Sequence, residues 1–185
     1  PMLVAAAPVL FAAARDRDDD RQDEEEENEQ PEDDEEYVAA IRTDLHWLGL
    51  VPDGEERQSA RLAIYQAAFD RLLAAGRIYP CYETAQELEL KRKVALGRGL
   101  PPVYDRAALT LGEAGRAERE EAGEVPHWRF LLDHDEPIRW QDGIRGEQQF
   151  DPAQLSDPVI QRADGSWLYM LPSAVDDIAM GITDV

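Results

Sequence analysis

Cysteine is almost missing from this sequence: Cys81 stands alone among 185 residues, which excludes an intrachain disulfide and any zinc site built from several cysteines. A reducing, cytoplasmic location is the simplest fit. No run reaches the roughly 18 apolar residues that a membrane span needs, so a bilayer helix is excluded. Positive charge is scarce as well, with 19 Lys plus Arg against 40 Asp plus Glu and a formal net charge of -21. Also missing are a Gly-rich phosphate loop and the Gly-x-Gly-x-x-Gly, Gly-x-Ser-x-Gly and His-Glu-x-x-His patterns, so the enzyme classes they mark lose support. At roughly 100 to 200 residues per domain, the length permits one domain, or one domain and part of another.

What is present begins with a charge anomaly. Residues 15–36 hold 15 Asp/Glu and 3 Arg, which leaves 25 acids against 16 bases for residues 37–185. A tract from Asp16 to Glu36 repels itself and has nothing to bury, so it is predicted to be disordered or loosely helical. A solvated tract without a site is favoured over an acidic tail that mimics nucleic acid or binds a basic partner. Residues 1–14 are apolar and uncharged, but no basic leader precedes them and acids follow, unlike a signal peptide. The start at Pro1 suggests that the true beginning of the protein is not represented.

From Tyr37 the spacing turns helical. Val38, Ile41, Leu45 and Leu48 recur at intervals of 3, 4 and 3 before Gly49, which predicts an amphipathic helix. After Pro52-Asp53-Gly54, Ser59 is a candidate cap for a second helix with Leu62, Tyr65, Phe69, Leu72 and Leu73 on one face, ending at Gly76. Ile78, Tyr79 and Tyr82 read as a short strand. Thr84 with Glu87 forms a capping box ahead of a third helix through Leu88, Lys91 and Val94, stopped by Gly97 and Gly99. A weaker fourth helix is expected before Ala122. After Pro126 the period becomes two, with Trp128, Phe130 and Leu132 opposite His127, Arg129 and Leu131, which predicts a strand. Ile138–Trp140 and Ile144–Arg145 read as further short strands. Val159–Arg162 and Trp167–Leu171 flank a hairpin turn at Ala163-Asp164-Gly165-Ser166. The chain closes on a β-prone run, Ile182–Val185. The class is mixed α and β, without an internal repeat.

Few residues suggest chemistry by themselves. Asp133-His134-Asp135-Glu136 has metal-ligand types but lies between two strands before Pro137, which favours a solvated turn. His46 and His127 lack a ligand partner at helical or strand spacing. Asp176 and Asp177 suggest an acid/base pair, yet adjacent helical side chains point about 100 degrees apart, so a structural role is favoured. Lys91, Arg92, Lys93, Arg98 and Arg106 form the one concentrated basic stretch. A solvated helix face and a docking patch for phosphates are equally open there.

Several stretches together resemble bacterial glutamyl-tRNA synthetase, a class I aminoacyl-tRNA synthetase. They are Glu36-Tyr37-Val38 to Trp47-Leu48-Gly49-Leu50; Arg57-Gln58-Ser59 with Arg61, Leu62 and Tyr65; Tyr79 to Thr84; and Gly99 to Asp105. The most specific runs from Asp157-Pro158-Val159 through Asp164-Gly165, Tyr169 and Val175-Asp176-Asp177 to Met180–Val185. The resemblance spans about residues 36–185. It implies an α/β fold: part of a Rossmann-type catalytic domain over residues 37–80, an inserted α/β domain that grips the tRNA acceptor stem over 81–164, and an incomplete return to the catalytic domain over 165–185. Residues 1–36 are then a leader foreign to the family.

The activity implied is glutamate–tRNA ligation: glutamate attacks the α-phosphorus of ATP, and the adenylate passes to the terminal ribose of tRNA. ATP is a substrate, with Mg2+ implied. Tyr169 and Ser173 match positions lining the glutamate and acceptor-end pocket; at i and i+4 they share a face if the helix begins this early. The ordinary alternative for Tyr169 is a half-buried strand tyrosine. Lys91, Arg92, Lys93 and Arg106 become candidates for tRNA acceptor-stem docking. A full-length relative is expected to be a cytoplasmic monomer without a membrane anchor.

The departures from the family matter equally. Its His-Ile-Gly-His type signature is absent, its Lys-Met-Ser-Lys-Ser type loop and anticodon-binding domain would lie beyond Val185, and so would an arginine that helps hold glutamate. No catalytic residue is therefore expected in this stretch, and the isolated piece is expected to be inactive. Where some members carry a zinc-binding Cys-x-Cys, this chain has Cys81-Tyr82-Glu83, so no zinc is expected. Leu10 to Arg21 only distantly echoes the family's strand and Asp-Thr-Asp motif, and the abrupt break suggests a shifted reading frame or a misjoined gene fragment. The apolar faces of residues 37–75 expect sheet strands that this sequence does not supply. Two other readings stay open: an acceptor-stem RNA-binding module without ligase activity, and an enzyme like glutamyl-queuosine tRNA(Asp) synthetase.

Overall fold

The computed structural model describes residues 31–185, residues 31–34 by their backbone alone. They fall into two compact units, residues 31–60 and 61–185, taken separately below. The expectations for the acidic tract up to residue 30, and for the distorted family echo before it, lie outside the described residues.

The first unit is built on helix α1, Pro31–Trp47. The predicted helix is therefore present but begins earlier, so the end of the expected disordered leader is helical. Gly49 ends the helix at φ 74, a left-handed conformation that a β-carbon would strain. The loop that follows is tied back by charge. Arg42 donates from Nε to Glu55 Oε2 at 2.8 Å, and Arg57 pairs with Glu35 through both guanidinium nitrogens. Val38, Leu45, Leu50 and Val51 line a groove between helix and loop. Tyr37, Ile41, Trp47 and Leu48 remain exposed. Gln58–Ala60 closes the unit as a 3-10 turn.

The second unit begins with helix α2, Leu62–Ala74. Its N-cap is Arg61, with no side-chain cap bond, which corrects the assignment of Ser59: that residue lies inside the 3-10 turn. Tyr65, Ala68 and Phe69 supply the buried face, while Leu62 and Leu73 stay exposed. Strand β1, Ile78–Cys81, follows, then helix α3, Ala85–Gly97, which opens on the predicted Thr84–Glu87 capping box. Helix α4, Glu113–Glu121, is the weak fourth helix. Tyr82 donates to Glu120 Oε1 at 2.8 Å, which ties the end of β1 to α4.

Strands β2, His127–Phe130, and β5, Val159–Gln161, complete an antiparallel sheet in the order β1-β2-β5. Pro80 sits in the edge strand β1, where a missing donor is tolerated. Alternation sends side chains to two cores. Ile78, Trp128, Phe130 and Ile160 pack with Ala68, Phe69 and Leu171, and Phe69 meets Trp128 edge-on at 5.1 Å. Tyr79, Cys81 and Leu131 pack on the other face with Ala108 and Tyr104. Burying these faces is the main force holding the sheet between its covering elements.

Two strand expectations need correction. Ile144–Arg145 is the turn joining β3, Ile138–Asp142, to β4, Gly146–Phe150. The Asp142 carboxylate accepts from the N–H groups of both Ile144 and Arg145 at 2.8 Å, and such aspartate-held turns override β-propensity. Trp167–Leu171 is not a second strand either. Pairing beyond the 163–166 turn shrinks to one bridge, Gln161 to Trp167, because helix α5, Met170–Met180, has already begun. Leu171 reaches the core from that helix. Ile182–Val185 forms no strand; it leaves α5 through Gly181 in a left-handed conformation, φ 70. Among the described residues no helix is long and apolar enough to cross a membrane.

Candidate functional site

The first candidate site is made where the 163–166 turn delivers the chain into α5. Asp164 accepts from the Ser166 N–H at 2.7 Å, and the Ser166 hydroxyl, followed by that amide bond, holds its carboxyl below the usual range. Tyr169 stands at the N-cap of α5, and its carbonyl accepts from the Ser173 N–H at 3.0 Å. The helix therefore begins early enough for the two residues to share a face. The Tyr169 side chain is surface-facing, 70% exposed, and not half-buried in a strand. Ser173 is half-buried beside it.

Asp176 continues that face one turn further on. Its Oδ1 accepts from Arg61 Nε at 2.8 Å, and its Oδ2 accepts from the Tyr65 hydroxyl at 2.8 Å. The Arg61 and Asp176 side chains are 16% and 14% exposed. Burial and the carboxylate it donates to push the Tyr65 hydroxyl pKa up. Both Asp176 oxygens are thus engaged by donors, which favours the structural role for Asp176 over a proton-sharing pair with Asp177.

The second cluster is centred on Asp157, a carboxylate with no solvent exposure. It accepts from the Tyr79 hydroxyl at 2.7 Å, from Arg106 Nη2 at 2.7 Å and from the Leu132 N–H at 2.9 Å. Its own backbone carbonyl accepts from Arg129 Nη1 at 2.6 Å. A buried charge survives only when paired and fully hydrogen-bonded, and these donors meet that condition. Burial, then the bond to Asp157, raises the Tyr79 hydroxyl pKa far above its ordinary value.

The basic stretch is divided by the fold. Lys91, on α3, donates to Glu83 at 3.3 Å and to Asp105 at 3.1 Å. Arg92 and Lys93 both reach Glu89 on their own helix, at 3.9 and 3.2 Å. Lys93 is the most accessible of the three, its side chain 70% exposed. Arg106 is not beside them: its guanidinium turns to Asp157 and to the Leu132 carbonyl, 2.7 Å from each. Arg98, also exposed, forms no ion pair among the described residues.

Beneath α3, Tyr104 donates to Glu83 Oε1 at 2.8 Å and lies 3.8 Å from Cys81 Sγ, with the Arg129 guanidinium stacked 4.3 Å from its ring centroid. Burial raises the Cys81 thiol to about 11. His127, the cross-strand partner of Cys81, is lowered to about 4 by burial and then by the Arg129 charge. In the Asp133–Glu136 turn, Asp133 accepts from the Asp135 N–H at 3.0 Å and Asp133, Asp135 and Glu136 are exposed, whereas His134 is half-buried, its Nε2 4.0 Å from Asp157 Oδ1, which corrects the expectation of a wholly solvated turn. No group of three His, Cys, Asp or Glu among the described residues could hold a metal ion.

The two carboxylate clusters escaped the reading of single residues. Arg61, Tyr65, Asp157 and Asp176 all lie in the stretches that carry the family resemblance, so the signal was present. Which of them meet across 111 or 115 positions is a property of the folded chain.

The family model for the catalytic domain of class I tRNA synthetases (E and Q) matches residues 22–185, which corrects the expectation of a leader foreign to the family over residues 1–36: the match already includes residues 22–36. The chain is 74% identical over 149 residues to glutamate–tRNA ligase 1 of Novosphingobium aromaticivorans, covering 80% of this chain and 34% of that protein. Among solved structures, a glutamate–tRNA synthetase from Elizabethkingia anophelis aligns with TM-score 0.70 and 27% identity over 90% of this chain and 35% of its own. A glutamate tRNA ligase from Elizabethkingia meningosepticum, solved with its amino acid, aligns with TM-score 0.68 and 28% identity over 80% of this chain and 32% of its own. The chain thus spans about a third of the length of these relatives. With most of its residues matched in order, and with the α/β architecture of the solved relatives, the chain belongs to the class I tRNA synthetase (E and Q) catalytic-domain family.

Proposed function

We propose that the protein carrying this chain is a glutamate–tRNA ligase, activating glutamate with ATP and transferring it to the 3′ end of tRNA. The observation that carries the reading is the 74% identity to a glutamate–tRNA ligase over 149 residues. In this reading Tyr169 and Ser173 border the glutamate and the acceptor end, with the exposed phenol and the half-buried hydroxyl offering hydrogen bonds from one helical face. Residues 81–164 are the inserted acceptor-stem domain, and α3 is its docking surface. Lys93 is free to meet a phosphate by exchanging Glu89 for it, and Lys91 and Arg92 add charge behind it. Arg106 supports that surface from within, through Asp157.

Catalysis in such a reaction rests on positioning and on charge stabilisation. This chain contributes the former: a pocket face and an RNA-gripping surface. Mg2+ accompanies ATP in the implied reaction, and no residue of this chain is assigned to it. A cytoplasmic, monomeric enzyme of protein synthesis completes the proposal.

The test uses the full-length protein with tRNA present and follows glutamate-dependent exchange of labelled pyrophosphate into ATP. Exchange with glutamate and none with aspartate is the expected result. Binding of tRNA without any exchange would overturn the ligase reading in favour of an RNA-binding module.

A further inference from the structure

Helix α5 carries the proposed pocket residues, yet little fixes its orientation. Only Leu171 and Pro172 are buried along it, and Val175 packs partly against the core. Ile178 and Met180, further along, are exposed. An apolar contact is non-directional, so these contacts, with the half-buried stretch 173–177, hold α5 down but specify its rotation less sharply than a directional bond does. Rotation matters because Tyr169, Ser173 and Asp176 stand at i, i+4 and i+7, on one face of the helix.

The directional restraint is the carboxylate of Asp176. Its two oxygens are held separately, one by Arg61 at the start of α2 and one by Tyr65 a turn later. Tyr65 is 1% exposed, and neighbouring Ala68 and Phe69 anchor α2 in the main core. Two bonds from one rigid helix to the two oxygens of a single carboxylate fix its position and its plane, and charge-assisted bonds of this kind are the strong ones.

From this geometry we infer that Asp176 is a positioning residue for glutamate binding, acting through Arg61 and Tyr65 to set the rotation of α5 and hence the placement of Tyr169 and Ser173. The inference rests on the ligase reading above. Asp176 does not touch the substrate in this scheme, because both of its oxygens are engaged.

The experiment measures KM for glutamate, KM for ATP and kcat of pyrophosphate exchange in the full-length wild type, in Asp176→Asn and in Tyr65→Phe. Asp176→Asn keeps the shape but removes the charge, and an ångström-scale shift of the pocket residues is expected to raise KM for glutamate about tenfold, leaving KM for ATP within about twofold. Tyr65→Phe deletes a single bond and is expected to raise it about threefold in the same selective way, typical of one lost hydrogen bond. Asp176→Glu, which retains the charge, is expected to recover part of the affinity. Unchanged KM for glutamate in both variants, or a fall in kcat alone, overturns the inference while leaving the ligase reading intact. If Asp176→Asn does not fold, Tyr65→Phe decides. A wild type without glutamate-dependent exchange overturns the ligase reading, and this inference with it.

Discussion

Arg106 donates from Nη2 to Asp157 Oδ1 at 2.7 Å, and it does so from a left-handed backbone position, φ 57, otherwise occupied among the described residues only by glycines. A side chain at such an angle is strained by about 1 to 2 kcal/mol, so the partner must compensate. Asp157 is fully buried and collects two further donors. Asp157→Ala leaves the Arg106 charge without its carboxylate, held only by the Leu132 carbonyl, and the Tyr79 hydroxyl without its acceptor, and the expected loss of stability is about 3 kcal/mol. Denaturant unfolding measures it, and a loss below about 1 kcal/mol would show that solvent replaces the carboxylate freely.

Cys81 is fully buried, and its thiol is raised to about 11, chiefly by burial. Thiolate, not thiol, reacts with disulfide reagents. In the native chain at pH 8, Cys81 is expected to resist such a reagent for hours, then to titrate as one thiol once denatured. Rapid native labelling would contradict the packing of β1 against Tyr104 and Ala108.

His127 offers a pH test. Its folded pKa, about 4, lies below the ordinary value of 6.5 because burial and then Arg129 disfavour the charged form, with Glu83 opposing weakly. The unfolded chain therefore binds more protons between about pH 4 and 6.5, and stability falls as the pH drops through that window. At most about 3 kcal/mol is at stake for such a shift. The His127 ring-proton resonance is expected to titrate near pH 4, and His127→Gln to flatten this part of the acid dependence. A midpoint near 6.5 would contradict the burial.

Thr84 caps α3 by accepting from the Glu87 N–H at 3.2 Å while Glu87 accepts from the Thr84 N–H at 2.8 Å. Thr84→Ala removes the first bond and frays the turn leading to Lys91. Hydrogen exchange at the Glu87 amide is expected to accelerate about fivefold, a typical consequence of losing a cap, with Thr84→Ser close to the wild type. Equal protection in all three would mean that tertiary packing alone fixes the helix start.

The parts of this fold that were legible in the sequence are those set by local rules. The period of Val38, Ile41 and Leu45, the Thr84–Glu87 box and the alternation from His127 to Leu131 each produced the element they predict. Errors arose where a side chain or a helix start overrode propensity. Ile144 is β-branched, yet it is 97% exposed on a turn that the Asp142 carboxylate holds. Leu168 keeps its bond to the Ile160 carbonyl, but the helix takes over two residues later. The basic cluster looked continuous because sequence does not reveal that Arg106 turns inward to a carboxylate 51 positions away. The proposal of Tyr169 and Ser173 as a pocket face rests on the family resemblance alone, since nothing in composition or spacing singles out an exposed tyrosine.

The central claim concerns the bond that the protein makes, and charging of tRNA tests it most directly. Full-length protein is incubated with ATP, labelled glutamate and either intact tRNA or tRNA trimmed of its terminal adenosine. The account predicts label on intact tRNA and none on the trimmed form, because the acceptor is the terminal ribose. Equal labelling of both, which places glutamate on an internal base, or no labelling of either would contradict it.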